Sequence, residues 1–326
     1  MTVTPLDIAA DEYLTVAARA MRTSGGVGAL DSLGWWDLLA HLGETDLRTA
    51  IFAVFHAQGR ELVSSPALGG LLAQPYLEAA GLEPGTVVAT VPRASARGRS
   101  VLMAVGDVTD RMLLVDRPGQ GATVAEPAAV VLRPVHLPGR LALHEVDVDL
   151  SRAAVTIDEP RAGVARDRSA FLGRVALALE IVGAAEGALA LAVDHATHRE
   201  QFGQPIGRFQ AVRHLLAWAC TDCVAIEAVA RHAVALDSAA PPRYGEVVKA
   251  LAGRNGRRAC ERALQVLGGI GFTAEHDHHH HHARVLALDA LLGTSAALIP
   301  PLGAWLRSTD ADPGFASTVL LGDPSR

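Results

Sequence analysis

No uninterrupted apolar run in this chain approaches the roughly 20 residues needed to cross a bilayer, so no membrane span is expected. The opening Met1-Thr-Val-Thr-Pro-Leu-Asp-Ile8 lacks a basic segment followed by an apolar one, which speaks against a secretory leader. Cysteine is scarce and odd in number, three in 326 residues, which argues against a disulfide framework and for a reducing interior. Positive charge is not in excess: 29 Lys and Arg stand against 35 Asp and Glu, a net charge of −6, so there is no basic field for nucleic acid. These absences together predict a soluble cytoplasmic protein with no membrane or nucleic-acid partner. What is abundant is apolar: half the residues are hydrophobic, dominated by Ala, Leu and Val, in a chain long enough for two or three domains with full cores.

The texture of the chain changes twice. Up to about residue 85 the spacing is helical. Ile8, Tyr13, Leu14, Val16 and Met21 mark one amphipathic segment, and Thr23-Ser-Gly-Gly-Val-Gly28 reads as a break. Trp35, Trp36, Leu38, Leu39 and Leu42 begin another segment, which Ile51, Val54 and Phe55 continue; a short helix from Leu68 to Ala80 closes at Gly81. The Trp pair suits a core or domain contact better than a ligand platform. From Thr86 short β-rich runs follow: Thr86–Val91, Ser100–Val105, Arg111–Asp116, Ala129–Arg133, Leu141–Val148 and Ala154–Ile157, with turn residues between them. From Val164 the pattern is helical again. One stripe runs through Phe171, Val175, Leu179, Val182, Leu189 and Val193, and a second through Val212, Leu216, Ala219, Cys223, Ile226 and Ala230. A third, through Val247, Leu251, Ala259, Ala263 and Leu264, stops at Gly268-Gly269; a fourth is expected from about His279 to Leu298, broken by Pro300-Pro301. The fold class is α+β: an N-terminal helical domain (1–85), a small middle β-domain (86–160), a C-terminal four-helix bundle (161–307) and a loose tail (308–326).

Between the first two long helical stripes lies Arg199-Glu-Gln-Phe-Gly-Gln-Pro-Ile-Gly-Arg-Phe-Gln210. A helical hairpin needs only a short polar connection. This one carries Arg199, Gln201, Phe202, Gly203, Phe209 and Gln210 instead. A guanidinium matches a pyrophosphate through bidentate charge-assisted bonds, and a glycine lets backbone approach a ligand closely. The stretch resembles the signature of the acyl-CoA dehydrogenase family, whose Arg, Phe-Gly pair and later Gln lie against the phosphates and adenine half of FAD, mostly the FAD held by a neighbouring subunit. A second stretch, Gln265-Val-Leu-Gly-Gly-Ile-Gly-Phe-Thr-Ala-Glu-His276, resembles the other FAD-contacting signature of that family through Gln265, Gly268, Gly269 and Gly271. The order helices, β-domain, four-helix bundle is also the family's order.

The resemblance implies α,β-dehydrogenation of a CoA thioester, in which a carboxylate takes the α-proton and a hydride leaves the β-carbon for flavin N5. Leu291-Leu-Gly-Thr-Ser295 falls where the family carries Glu-Gly-Thr-Ser; Thr294 is retained on the flavin side, but the base position is Leu292, which cannot accept a proton. Some members place the base 26 residues before the signature Arg, here Gly173, again without a carboxylate. Glu180, two turns further on, is the remaining candidate for a displaced base, weighed against a helix residue paired with an Arg. The middle domain has Ala89-Thr-Val-Pro-Arg-Ala-Ser-Ala-Arg97 in place of the family's flavin-facing elements. The residues that would serve a neighbour's flavin are kept, and those that would hold the chain's own flavin and substrate are eroded. This split implies a subunit completing the FAD site of an acyl-CoA dehydrogenase-like partner in a heterodimer or heterotetramer, with an electron-transfer flavoprotein or similar acceptor. The alternatives are a self-sufficient homo-oligomer and a flavin-free scaffold. His278–His282 offers an i,i+4 pair that could take a metal adventitiously, but no carboxylate or Cys completes a site, and no metal is expected. Cys220-Thr-Asp-Cys223 has redox spacing inside a helical stripe and reads as two packed thiols. Glu275 matches a family position that looks structural.

Overall fold

A computed structural model describes residues 5–82, 87–94 and 100–308. The expected boundary at 85/86, residues 95–97 and the expected tail beyond Ser308 lie outside the described residues. Helix α1 (Pro5–Ser32) runs through the expected break, kinked where Gly25 takes φ 69°. A short helix α2 (Trp35–Leu38) follows, then α3 (Thr45–Arg60) and α4 (Ala67–Ala80). The two indoles stack edge to face, 5.2 Å between centroids. Trp35 Nε1 donates to Ile51 O, and the Arg111 guanidinium from the β-region lies 3.9 Å from the centre of the Trp36 ring. The pair therefore joins the helices to the strands.

Eight strands follow: β1 (Val87–Ala89), β2 (Val91–Ala94), β3 (Ser100–Val105), β4 (Met112–Arg117), β5 (Gly121–Ala125), β6 (Val130–Val135), β7 (Leu143–Val148) and β8 (Ala153–Ile157). They form two four-stranded sheets, in the orders β1-β4-β5-β8 and β2-β3-β7-β6; the β1–β4 pairing is parallel and every other pairing antiparallel. The run expected as one strand over Thr86–Val91 is split. At Thr90, whose N–H and hydroxyl both donate to Leu114 O, the chain leaves one sheet and enters the other. Strand β5 was not expected, because Gly-Ala-Thr-Val-Ala offers no alternation; it is wholly buried and specified by pairing with β4 and β8.

Helix α5 (Glu159–His198) is the axis of the molecule, packed by α3, α4, α6, α7 and α8. Contrary to expectation, it is long and apolar enough to cross a membrane by length and composition alone; 78% of its most apolar 18-residue window is buried. From Val175 to Ala185 every residue of the helix is buried, and periodic small residues make that crowding fit. Helices α3 and α5 touch backbone to backbone at Gly59 and Gly183, where a Cβ would fall 2.1 Å from Glu180 O and from His56 O. Helices α6 (Gln210–Leu236), α7 (Tyr244–Leu267) and α8 (His278–Asp289) complete the bundle, and α9 (Ser295–Ser308) packs on α7.

The fourth helix departs from expectation. It stops at Asp289, five residues intervene, and α9 then runs straight through Pro300 and Pro301. Leu292 and Gly293 both take positive φ, 52° and 99°, which ends a helix more decisively than the prolines do. The prolines remove N–H donors whose partners would be the carbonyls of Ala296 and Ala297; both alanines are exposed, so water can serve those oxygens. Lys249, the chain's sole lysine, pins the break from inside: its buried ammonium donates to Asp289 O, Asp289 Oδ1 and Gly293 O.

Candidate functional site

Helix α5 ends at His198, and the connection to α6 is a miniature hairpin, β9 (Glu200–Gln201) against β10 (Gln204–Pro205). Its turn residues Phe202 and Gly203 both have positive φ, 53° and 76°, the type I′ geometry of two-residue hairpins. Glycine takes that conformation freely; phenylalanine does not, and tertiary packing does not hold it there, since Phe202 is 92% exposed. It meets Phe209 edge to face at 6.1 Å. The loop is closed by Ile206 N donating to Arg199 O at 2.8 Å. The Arg199 guanidinium makes no hydrogen bond or ion pair with a side chain among the described residues. Gln201 reaches only the Glu200 carbonyl, and Gln210 lies at the 3.5 Å limit from His214.

The end of α7 lies at the same end of the bundle as this loop. Gly268 (φ 64°) turns the chain into a 3-10 segment, Gly268–Phe272. A Cβ on Gly268 or Gly269 would meet nothing within 4 Å, so the backbone there is open to a ligand. Gly271 differs: it is buried, and a Cβ would sit 2.8 Å from Leu264 Cδ1, so its glycine serves packing. Gln265 is exposed without a hydrogen-bond partner among the described residues, and Phe272 is 77% exposed. His195, in the last turn of α5, ties the two loops together, for it feels the charges of both His276 and Arg199. Burial first, and then His276 and Arg199, hold its imidazole below the usual histidine value against the pull of Asp194. Arg199, Gln201, Phe202, Gly203, Phe209, Gln210, Gln265, Gly268 and Gly269 thus share one end of the bundle.

The expected base positions meet elsewhere, and they meet each other. A Cβ on Gly173 would lie 2.6 Å from Leu292 Cδ1 and 2.5 Å from Leu72 Cδ2, so the two positions are adjacent and filled with hydrocarbon. Gly173 precedes Arg199 by 26 residues, about 39 Å along a straight helix. The Leu292 backbone is fastened on both sides: its N–H donates to Pro92 O, its carbonyl accepts from Arg174 Nε, and Leu291 bridges Arg93 of strand β2. Thr294, expected among the flavin contacts, lies on this fastened loop and not at the bundle end; its hydroxyl accepts from Ala297 N and caps α9.

Glu180 is not available as a displaced base. It is completely buried, accepting from Arg284 Nε at 2.8 Å and from Gln58 Nε2. Arg284, equally buried, also donates to Val63 O, Gly139 O and Arg140 O, joining α5, α8, the α3–α4 connection and the β6–β7 connection at one point. The carboxylate is spent on holding three parts of the molecule together.

Around the histidine run, as elsewhere among the described residues, no group of three or more ligand side chains has metal-binding geometry. His278 Nε2 donates to Cys260 O, and His281 is wedged against Gly187, its imidazole pushed down to about 4 chiefly by burial. Cys220 and Cys223 are both free thiols on α6; burial pushes the Cys223 thiol far up, so it is inert. Sequence reading passed over His195 and His276. The signal was present, since His195 sits four residues before Arg199 and so on the same helix face, and His276 ends the second glycine-rich stretch.

Residues 163–305 match the family model described as acyl-CoA dehydrogenase, C-terminal domain. The chain is 34% identical over 228 residues to acyl-CoA dehydrogenase IpdE2 of Mycobacterium tuberculosis, covering 67% of this chain and 65% of that protein. It is 31% identical over 255 residues to acyl-CoA dehydrogenase FadE34 of the same organism, covering 77% of this chain but 34% of the relative. The chain thus spans about two-thirds of one relative's length and a third of the other's. Among solved structures, a chain of the ChsE4–ChsE5 complex of M. tuberculosis superposes with TM-score 0.69 at 18% identity, covering 95% of this chain and 99% of that one. Butyryl-CoA dehydrogenase of Megasphaera elsdenii superposes with TM-score 0.71 at 16% identity, covering 94% and 99%. Those likenesses establish the fold.

Proposed function

The chain belongs to the acyl-CoA dehydrogenase family, and from that membership we propose that it serves as a helper subunit, completing the FAD site of a catalytic partner. The observation that carries the proposal is the contrast between the chain's two candidate regions. At the bundle end a guanidinium, carboxamides, two phenylalanines and open glycine backbone stand with few or no partners among the described residues. At the base position Leu292 packs on Gly173 and is bonded to strand β2, with no carboxylate to take an α-proton.

The bundle-end residues suit FAD. Arg199 would hold the pyrophosphate bidentately, Gly268 and Gly269 would admit it against backbone N–H groups, and Phe202 and Phe209 offer faces for the adenine. When bound, FAD supplies the hydride acceptor; the residues of this chain bind and orient it, and the partner supplies the base and the acyl-CoA pocket. A fold neighbour drawn from a ChsE4–ChsE5 complex supports the heteromeric reading. Electrons would leave through an electron-transfer flavoprotein or a similar acceptor. The test is co-expression with a catalytic family member, followed by visible absorption of the purified complex and of this chain alone. A colourless chain that becomes part of a yellow, acyl-CoA-oxidising complex is expected; a yellow homo-oligomer that oxidises acyl-CoA by itself overturns the proposal.

A further inference from the structure

We infer that His195 and His276 are additional phosphate-binding groups beside Arg199, so that the bundle end grips a dinucleotide more tightly as pH falls below neutrality. This rests on the dinucleotide reading of that end and adds to it two residues and a regulation. Arg199 N donates to His195 O at 2.8 Å, which sets the two residues one turn apart at the end of α5, close enough for Arg199 to act on the His195 charge. His195 is half-buried, and its ring has no hydrogen-bond partner among the described residues. On the loop after α7, His276 Nδ1 accepts from His278 N at 3.2 Å, which leaves Nε2–H as its donor with no hydrogen-bond partner among the described residues, and the His276 carbonyl accepts from His279 Nδ1.

The charges around His195 leave it short of anions. On its own helix, Asp194 pairs with His198 Nδ1 at 3.2 Å, and Arg199 is the next cation. The hairpin carries Glu200 and Arg208, and α6 carries His214 beside Gln210. On the loop after α7, Glu275 is exposed, and Asp277 is taken by Arg140 at 3.1 Å. A pyrophosphate held by Arg199 would favour the charged form of both imidazoles. A ligand that prefers the protonated form gains up to about tenfold in affinity per pH unit for each proton taken up.

FAD, titrated into the complex of the full chain with its catalytic partner, is the probe, because its pyrophosphate is a diester whose charge is constant between pH 6 and 8. The expected dissociation constant is roughly tenfold lower at pH 6 than at pH 8, and FAD shifts the His195 ring titration upward by NMR. His195→Gln/His276→Gln is expected to lose the pH dependence and to bind at both pH values no more tightly than the unaltered chain does at pH 8; Arg199→Ala weakens binding at both pH values while keeping the pH dependence. Arg199-dependent binding that is equal at the two pH values, a pH dependence that survives the double substitution, or an unmoved His195 titration overturns the inference and leaves the dinucleotide reading standing. No FAD binding, or binding indifferent to Arg199→Ala, overturns that reading and the inference together.

Discussion

Removing the Arg284 guanidinium tests the assignment of Glu180 to structure instead of chemistry. Arg284 and Glu180 are both 0% exposed, and the guanidinium also serves the carbonyls of Val63, Gly139 and Arg140. Arg284→Met keeps most of the volume but strands a carboxylate where no water reaches it, with only Gln58 still donating. Breaking such a pair by removing one partner costs about 3–5 kcal/mol. For a chain of 326 residues that is a fall in Tm of about 4–7 °C, taking an unfolding entropy of about 2.1 cal/mol/K per residue. Glu180→Gln should cost a similar amount, because it leaves the cation unpaired. The double variant Glu180→Leu/Arg284→Met, which buries no charge, should recover most of the loss, as replaced buried ion pairs do. The assay is denaturant unfolding of the four proteins, read beside acyl-CoA oxidation by the complex. Single variants costing under about 1 kcal/mol would refute the reasoning. So would Glu180→Gln abolishing turnover at unchanged stability, which would return the carboxylate to catalysis.

Arg199→Ala should leave the melting temperature of the chain unchanged, since the side chain has no partner to lose among the described residues, while weakening FAD binding by about 10–100-fold, the worth of one or two charge-assisted bonds. Acid stability should report His281. Its folded value of about 4 lies below the ordinary histidine value of 6.5, so its contribution is complete above pH 6.5 and is lost as pH falls toward 4, by about 3 kcal/mol in all; His281→Phe should flatten that part of an unfolding-versus-pH curve. Lys249, the sole lysine, has a side chain with no exposed area. An amine-reactive reagent should therefore leave Lys249 unlabelled in the native chain and modify it only in denaturant, which peptide mass analysis would read; rapid native labelling would refute its burial.

The gathering of the candidate residues at one end of the bundle was legible in the sequence because each group of them is local. Arg199, Phe202-Gly203 and Gln210 sit in one loop, Gln265 and Gly268-Gly269 in another, and helix length with glycine stops fixes where each loop falls. That position 292 carries no carboxylate was legible for the same reason, since leucine cannot acquire a proton acceptor by folding. Tertiary structure decided what depends on partners distant in sequence. The switch of sheets at Thr90 and the strand Gly121–Ala125 follow from pairing with β4 and β8, not from alternation. The break after Asp289 is set by Lys249 and Pro92, reaching in from α7 and β2. Only the fold could show that Glu180 is bound by Arg284, 104 residues away, or that Thr294 caps a helix far from that bundle end. Helix periodicity, capping and loop chemistry are short-range and written residue by residue; the partner of a buried charge is a long-range choice that exists only once the chain has packed.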